Sequence, residues 1–189
     1  MMKKIIVSEH ITLDGFVAGP NGEMDWIKLD DTLFDLVNQF TNEADVALYG
    51  RITYGMMESY WPTAAEQPGA TKHDVEHSRW YNQAKKVVVS TTMNDETKEK
   101  LSVVKNNIAA TIKELKKQNG KNIMVFGSPR VVHLLAENNL VDEYWLFINP
   151  VILGEGIPMF PKLLQRSALK LADSIRFDCG VNALHYEVM

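Results

Sequence analysis

The feature that most constrains this chain is an alternation of short apolar, β-rich runs with amphipathic helical stripes. Strand candidates fall at Lys4–Val7, Val46–Tyr49, Val87–Ser90, Ile123–Phe126 and Glu143–Ile148, followed by Leu169–Phe177 and Val181–Val188. Between them, Thr32–Phe40 carries Leu33, Leu36, Val37 and Phe40 on one face, Asn107–Gln118 carries Ile108, Ile112 and Leu115, and Val131–Asn138 carries Val131, Leu134 and Leu135. Parallel strands need crossover connections and helices supply them, so the pattern predicts an α/β layered fold around a mostly parallel central sheet. After Pro161 the helical stripes stop. The last two strand candidates are joined by the turn-like Asp178-Cys179-Gly180, which predicts a C-terminal antiparallel hairpin. Pro62–Thr71 reads as one surface excursion.

Composition narrows the classes of function. The chain has 189 residues, 46% of them hydrophobic, with no internal repeat, which predicts one domain spanning 1–189. A formal net charge of −4 gives no global positive field, so no nucleic-acid partner is expected. One cysteine, Cys179, forms no internal disulfide and fits a reducing compartment, so the expected location is cytoplasmic. The apolar run Ile5-Ile6-Val7 ends at Ser8-Glu9-His10, far short of a signal-peptide or membrane-spanning core, and no membrane partner is expected.

In open α/β sheets, ligands bind beyond the carboxyl ends of the strands, where helix N-termini favour anions. Three candidate strands empty into suitable residues: Gly50-Arg51-Ile52-Thr53-Tyr54, Ser90-Thr91-Thr92 and Gly127-Ser128-Pro129-Arg130. Gly127 allows close backbone approach, Ser128 suits an N-cap, Pro129 the first helical position, and Arg130 adds charge; a pyrophosphate fits there. Arg51, with the Ser90 and Thr91 hydroxyls, suits a second phosphate. Each loop taken alone is also ordinary turn and cap chemistry. The G-x-G-x-x-G fingerprint of the Rossmann fold is absent.

Five stretches, in this order and spacing, resemble the dihydrofolate-reductase-like family, in particular the reductase domain of the bifunctional riboflavin-biosynthesis deaminase-reductase. They are Ile11-Thr12-Leu13-Asp14-Gly15-Phe16-Val17-Ala18, Gly50-Arg51-Ile52-Thr53-Tyr54, Val88-Val89-Ser90, Val125-Phe126-Gly127-Ser128-Pro129-Arg130 and Val151-Ile152-Leu153-Gly154-Glu155-Gly156-Ile157-Pro158. The resemblance implies a three-layer dihydrofolate-reductase-like fold, an NADPH-dependent reductase and a homodimer. It places Gly50, Arg51 and Thr53 at the cofactor phosphates, Ser90 and Thr91 at the adenosine ribose, and Phe126, Gly127, Ser128, Pro129 and Arg130 at the pyrophosphate. The loop Leu13–Gly22 then closes over the nicotinamide, bringing Leu13, Val17 and Ala18 to the cofactor. On the substrate side the resemblance points to Asp31 as the catalytic carboxylate, with Asp30 and Asp25 as competitors, and to Trp26, His10 and Phe147 as substrate contacts. Asp30 and Asp31 equally suit the capping of a helix.

Two departures weigh against folate. Ala84 stands where folate reductases carry the arginine for the glutamate tail, and Phe147 where they carry a threonine that supports the catalytic acid. The expected substrate is accordingly a small heterocyclic or ribosyl molecule. Two alternatives remain: a non-catalytic nucleotide-binding or ligand-binding protein on the same fold, and a dihydrofolate or pterin reductase. His73-Asp74-Val75-Glu76-His77 satisfies the H-x-x-E-H pattern, but its polar surroundings and lack of a third-ligand helix favour a polar helix, and no metal is expected.

Overall fold

The computed structural model describes residues 2–94, 98–160 and 166–189. An eight-stranded sheet forms from β1 (Ile5–Thr12), β3 (Ala44–Gly50), β4 (Lys85–Val89), β5 (Leu101–Val104), β6 (Asn122–Phe126), β7 (Glu143–Asn149), β9 (Leu169–Arg176) and β10 (Asn182–Val188). Its order is β5-β4-β3-β6-β1-β7-β10-β9. The six strands from β5 to β7 are mutually parallel, and β10 runs antiparallel to both β7 and β9. The C-terminal hairpin therefore forms as the sequence predicts, turning through Phe177–Val181 with Gly180 at φ 92°. A second, two-stranded antiparallel sheet pairs β2 (Phe16–Ala18) with β8 (Ile157–Pro158). Gly156 permits this pairing, because a Cβ there would strike the Ala18 carbonyl oxygen.

Helices α1 (Asp31–Asn42), α2 (Arg51–Tyr60), α3 (Lys72–Gln83), α4 (Ile108–Lys117) and α5 (Pro129–Glu137) complete the layers. One face of the sheet packs Ile5, Val7 and Ile11 of β1 against Ile112 and Leu115 of α4 and Val131, Val132 and Leu135 of α5. The other packs Ile6 of β1, Met124 and Phe147 against Leu33, Leu36 and Phe40 of α1 and Trp80 and Tyr81 of α3. Each fully buried aliphatic side chain in these layers stabilises the fold by roughly 2 kcal/mol. Among the described residues no helix is long and apolar enough to cross a membrane.

The structure departs from the sequence reading in the extent of the first strand, in the 62–71 excursion and in several added elements. The first strand does not stop at the polar residues but runs through Ser8, Glu9 and His10 to Thr12, because its neighbours β6 and β7 continue alongside. The 62–71 excursion is partly folded in: a 3-10 turn, Trp61–Glu66, buries Ala64, and Thr71 caps α3. Strands β2, β5 and β8 and helix α2 are additional elements. The end of the helical pattern after Pro161 falls outside the described residues, which omit 161–165.

Candidate active site at the carboxyl edge of the sheet

The carboxyl ends of β1, β3, β4, β6 and β7 share one edge, and every predicted binding segment lies along it. The β3–α2 turn places Gly50 at the N-cap of α2 with no side-chain cap, leaving the first amides of that helix unpaired by a side chain. The β6–α5 turn carries two successive left-handed residues, Gly127 at φ 62° and Ser128 at φ 67°, before Pro129 opens α5. Here the structure corrects one expectation. Ser128 occupies the N-cap position but does not cap α5, because its left-handed backbone turns the hydroxyl away from the helix. The Ser128 Oγ accepts instead from the Gly50 N–H at 2.9 Å. Thr53 Cγ2 lies 3.4 Å from where a Cβ on Gly127 would sit, so a larger residue there would press on α2. Two helix N-termini, each with an exposed arginine (Arg51 and Arg130), are thus laced together into one anion-favouring cradle.

At the end of β4, Ser90 is buried and its Oγ accepts from the Thr92 and Met93 amides at 3.2 and 3.0 Å, while Thr91 is exposed. The Ser90 hydroxyl therefore shapes the turn, and Thr91 is the one that faces solvent. The Leu13–Gly22 loop is anchored at its root. Asp14 accepts from Thr12 Oγ1 at 2.6 Å and from the Leu153 and Gly154 amides at 3.3 and 2.8 Å, and these bonds draw its carboxyl below the usual range. Val17 and Ala18 are buried in the small sheet, whereas Leu13 is 65% exposed at the mouth. Phe126 is buried at the end of β6, one residue before the cradle.

The substrate-side residues assemble on the α1 face. His10 stacks on Phe147 with ring centroids 4.9 Å apart, and Phe147, fully buried, backs His10 rather than facing the opening. Burial pushes the His10 imidazole down to about 4, so it is neutral at physiological pH. Asn149 Nδ2 lies 3.2 Å from His10 Nδ1; the amide donates, which leaves the ring proton on Nε2. Fully buried, Asn149 also donates to the Phe147 carbonyl at 3.0 Å and accepts from the Lys28 N–H at 2.8 Å, fixing His10 and the approach to α1 together. Trp26, half-buried, donates its indole N–H to the Glu23 carbonyl at 3.2 Å.

The two carboxylates at the start of α1 have separate places. Asp30 is the N-cap, accepting from the Leu33 N–H at 2.8 Å, the Thr32 hydroxyl at 2.7 Å and the Cys179 N–H at 3.1 Å. Desolvation opposes its ionisation, but these bonds outweigh it and hold the carboxyl at about 2. Asp31 follows on the first turn, exposed. His73 and His77 lie on α3, with the His77 ring 5.6 Å from that of Phe126 at the end of β6. His73 stacks on Phe34 at 3.9 Å and His77 packs on Trp61 at 4.0 Å, and among the described residues no group of three His, Cys, Asp or Glu could hold a metal ion.

Two polar residues of this edge escaped the sequence reading. Asn149 is one. The other is Glu9, buried in β1 beside the turn that begins at Gly127. The available signal was the break in the apolar run of the first strand: a polar triplet inside a central, doubly flanked strand is a local inconsistency of the kind that marks a site.

Over residues 3–183 the chain matches the RibD C-terminal domain family. The chain belongs to that family. Proteins with similar sequences include YyaP of Bacillus subtilis strain 168, 35% identical over 97% of this chain and 94% of that protein, and YwjB of the same organism, 26% identical over 98% of each; both are uncharacterized. The RibD-type fold is equally visible in solved structures. A pyrimidine reductase-like protein from Corynebacterium diphtheriae superposes with a TM-score of 0.68 at 16% identity, covering 99% of this chain and 92% of that one. The diaminohydroxyphosphoribosylaminopyrimidine deaminase/5-amino-6-(5-phosphoribosylamino)uracil reductase of Thermotoga maritima gives 0.69 at 16%, covering all of this chain and 57% of the bifunctional one. The architecture is that of the dihydrofolate-reductase-like RibD reductase fold.

Proposed function

We propose that this RibD-type chain is an NADPH-dependent reductase of a small heterocyclic or ribosyl substrate. The observation that carries the reading is the Gly50–Ser128 bond, which joins two arginine-bearing helix starts into a single cradle. The donor set fits a dinucleotide: helix amides and Arg51 and Arg130 suit phosphates, and the glycine at 127 leaves room for close approach. Gly50, Arg51 and Thr53 on one side and Gly127 to Arg130 on the other would hold the phosphates, Thr91 the ribose end, and Leu13 the nicotinamide end. A bound nicotinamide supplies the hydride; the protein's part is binding, orientation and exclusion of water. His10, held by Asn149 and Phe147, offers an Nε2–H donor to a substrate carbonyl or ring nitrogen, and the exposed Asp31 is the carboxylate free to manage a proton. Titration of NADPH against tryptophan fluorescence tests this. Quenching or energy transfer at sub-millimolar NADPH is expected, and a folded protein that shows neither overturns the cofactor assignment.

A second reading, a ligand-binding protein without turnover, is favoured by one observation: Asp30, the competing acid at the start of α1, is consumed by the helix cap and the Cys179 amide. Single-turnover loss of reduced-nicotinamide absorbance with pterins, aminouracils and quinones separates the two, since a pure binder shows none. We further propose a cytoplasmic homodimer, the edge strands β5 and β9 being surfaces that pairing can cover. Light scattering above the 21.4 kDa chain mass is the expected result.

A further inference from the structure

Glu9 is a carboxylate buried in a central strand of the sheet. It stands opposite Leu146 of β7, one residue beyond the Ser8–Phe126 pair with β6, so the turn at Gly127 begins beside it. Strand periodicity sets it on the face of Val7 and Ile11, the side of the sheet that α5 covers. Its Oε2 is buried without a hydrogen-bond partner. The Gly127 N–H, at the start of the neighbouring turn, favours the charged form of this carboxyl. Among the described residues no ion pair neutralises it: β6, β2 and β8 carry no titratable side chain, β7 brings Tyr144 on the same face, α5 brings Arg130, His133 and Glu137, and α4 brings Lys116, which bonds Asp142 instead. His133 Nε2 lies 3.0 Å from the Pro158 carbonyl, and His10 and Glu143 lie on the opposite face of the sheet.

An orphaned carboxyl oxygen directly behind an anion cradle has two consequences. In its acid form the group is an uncharged neighbour of the Gly127 turn that keeps an O–H donor in reserve. As a carboxylate it would be favoured by the Gly127 amide and would place a negative charge behind the phosphates in a medium of low dielectric. Desolvation moves its titration up to about 8, with the Gly127 amide opposing, so the acid form prevails at neutral pH and the anion appears just above it.

We propose that Glu9 is a positioning residue of the dinucleotide cradle, which accepts the phosphates of its ligand only while the Glu9 carboxyl carries its proton. The proposal rests on the reading of the two turns as a phosphate site. It adds that ligand binding and Glu9 protonation are linked: the ligand holds the proton on Glu9, and binding above pH 8 takes one up from solution.

The experiment is calorimetric titration of NADPH into the whole protein and into Glu9→Gln, from pH 6.5 to 9.5, in paired buffers of different ionisation enthalpy. Wild type is expected to bind about tenfold more weakly at pH 9 than at pH 7, as follows from titration near 8, and to take up close to one proton at pH 9. Glu9→Gln is expected to vary less than about twofold across that range and to take up none. Identical pH profiles and proton counts in the two proteins overturn the role of Glu9 and leave the phosphate site standing. Absence of NADPH binding to folded wild type at every pH overturns both. Should Glu9→Gln fail to fold, carbon-detected NMR of the Glu9 carboxyl in wild type decides: a titration midpoint moved upward by saturating NADPH supports the proposal, and an unmoved midpoint overturns it.

Discussion

A carboxyl group buried in the centre of a parallel sheet also ties the stability of the fold to pH. The value of about 8 for Glu9 in the folded chain lies above the 4.5 of an ordinary glutamate, so the folded state holds the proton more tightly than the unfolded state. Its contribution is therefore fully present below pH 4.5 and declines, by about 1.4 kcal/mol per pH unit, until pH passes 8. Glu9→Gln removes that slope. In urea unfolding the variant should gain on wild type steadily between pH 5 and pH 8, and parallel stability curves would show that Glu9 ionises freely in the folded protein. Much at this scale was legible in the sequence: the residues of the two turns needed only their types and their order. Glu9 and Asn149 were not, because their roles come from neighbours more than a hundred residues away, the Gly127 amide for one and His10 for the other. Ser128 shows the same limit. Its position at a helix start was readable, but the backbone angle that redirects its hydroxyl was not.

Among the elements, α3 converts an apparent metal motif into a packing surface. The rings of His73 and His77 meet Phe34, Trp61, Trp80 and Phe126, and His77 keeps both ring nitrogens without hydrogen-bond partners. Burial lowers the His77 imidazole to about 3, so the unfolded chain protonates first as pH falls. The stability contributed by neutral His77 is present above pH 6.5 and is lost progressively toward pH 3. His77→Phe keeps an aromatic ring in the same box and removes this loss. Its acid-unfolding midpoint, followed by circular dichroism, should lie below that of wild type; an unchanged midpoint would mean that other groups govern acid unfolding. The helices α1, α4 and α5 were readable because their apolar stripes face the sheet. Helix α2 was not, since Ile52, Met56 and Tyr60 recur along it but are all exposed, and Tyr54 is the buried side chain it contributes. Strand β5 has four residues on the sheet edge, too few for a periodic signal.

At the scale of the whole molecule, the cradle exists because β3 and β6 are neighbours in the sheet although their turns are 78 residues apart in sequence. In the sequence the Gly50–Tyr54 and Gly127–Arg130 loops are separate segments, and the strand order sets them side by side. Ser128 is the link, and it is held in a left-handed conformation that disfavours every residue with a side chain. Glycine would relieve that backbone penalty and delete the Oγ that receives the Gly50 amide. Ser128→Gly thus sets stability against binding. The thermal midpoint should hold or rise, while affinity for NADPH falls about fivefold, the factor expected for losing one hydrogen bond of about 1 kcal/mol between the two turns. A general loosening of the fold would lower both together. Unchanged affinity with a raised midpoint would show that each turn binds its phosphate alone and that the lacing of the two is a feature of the fold without bearing on the ligand.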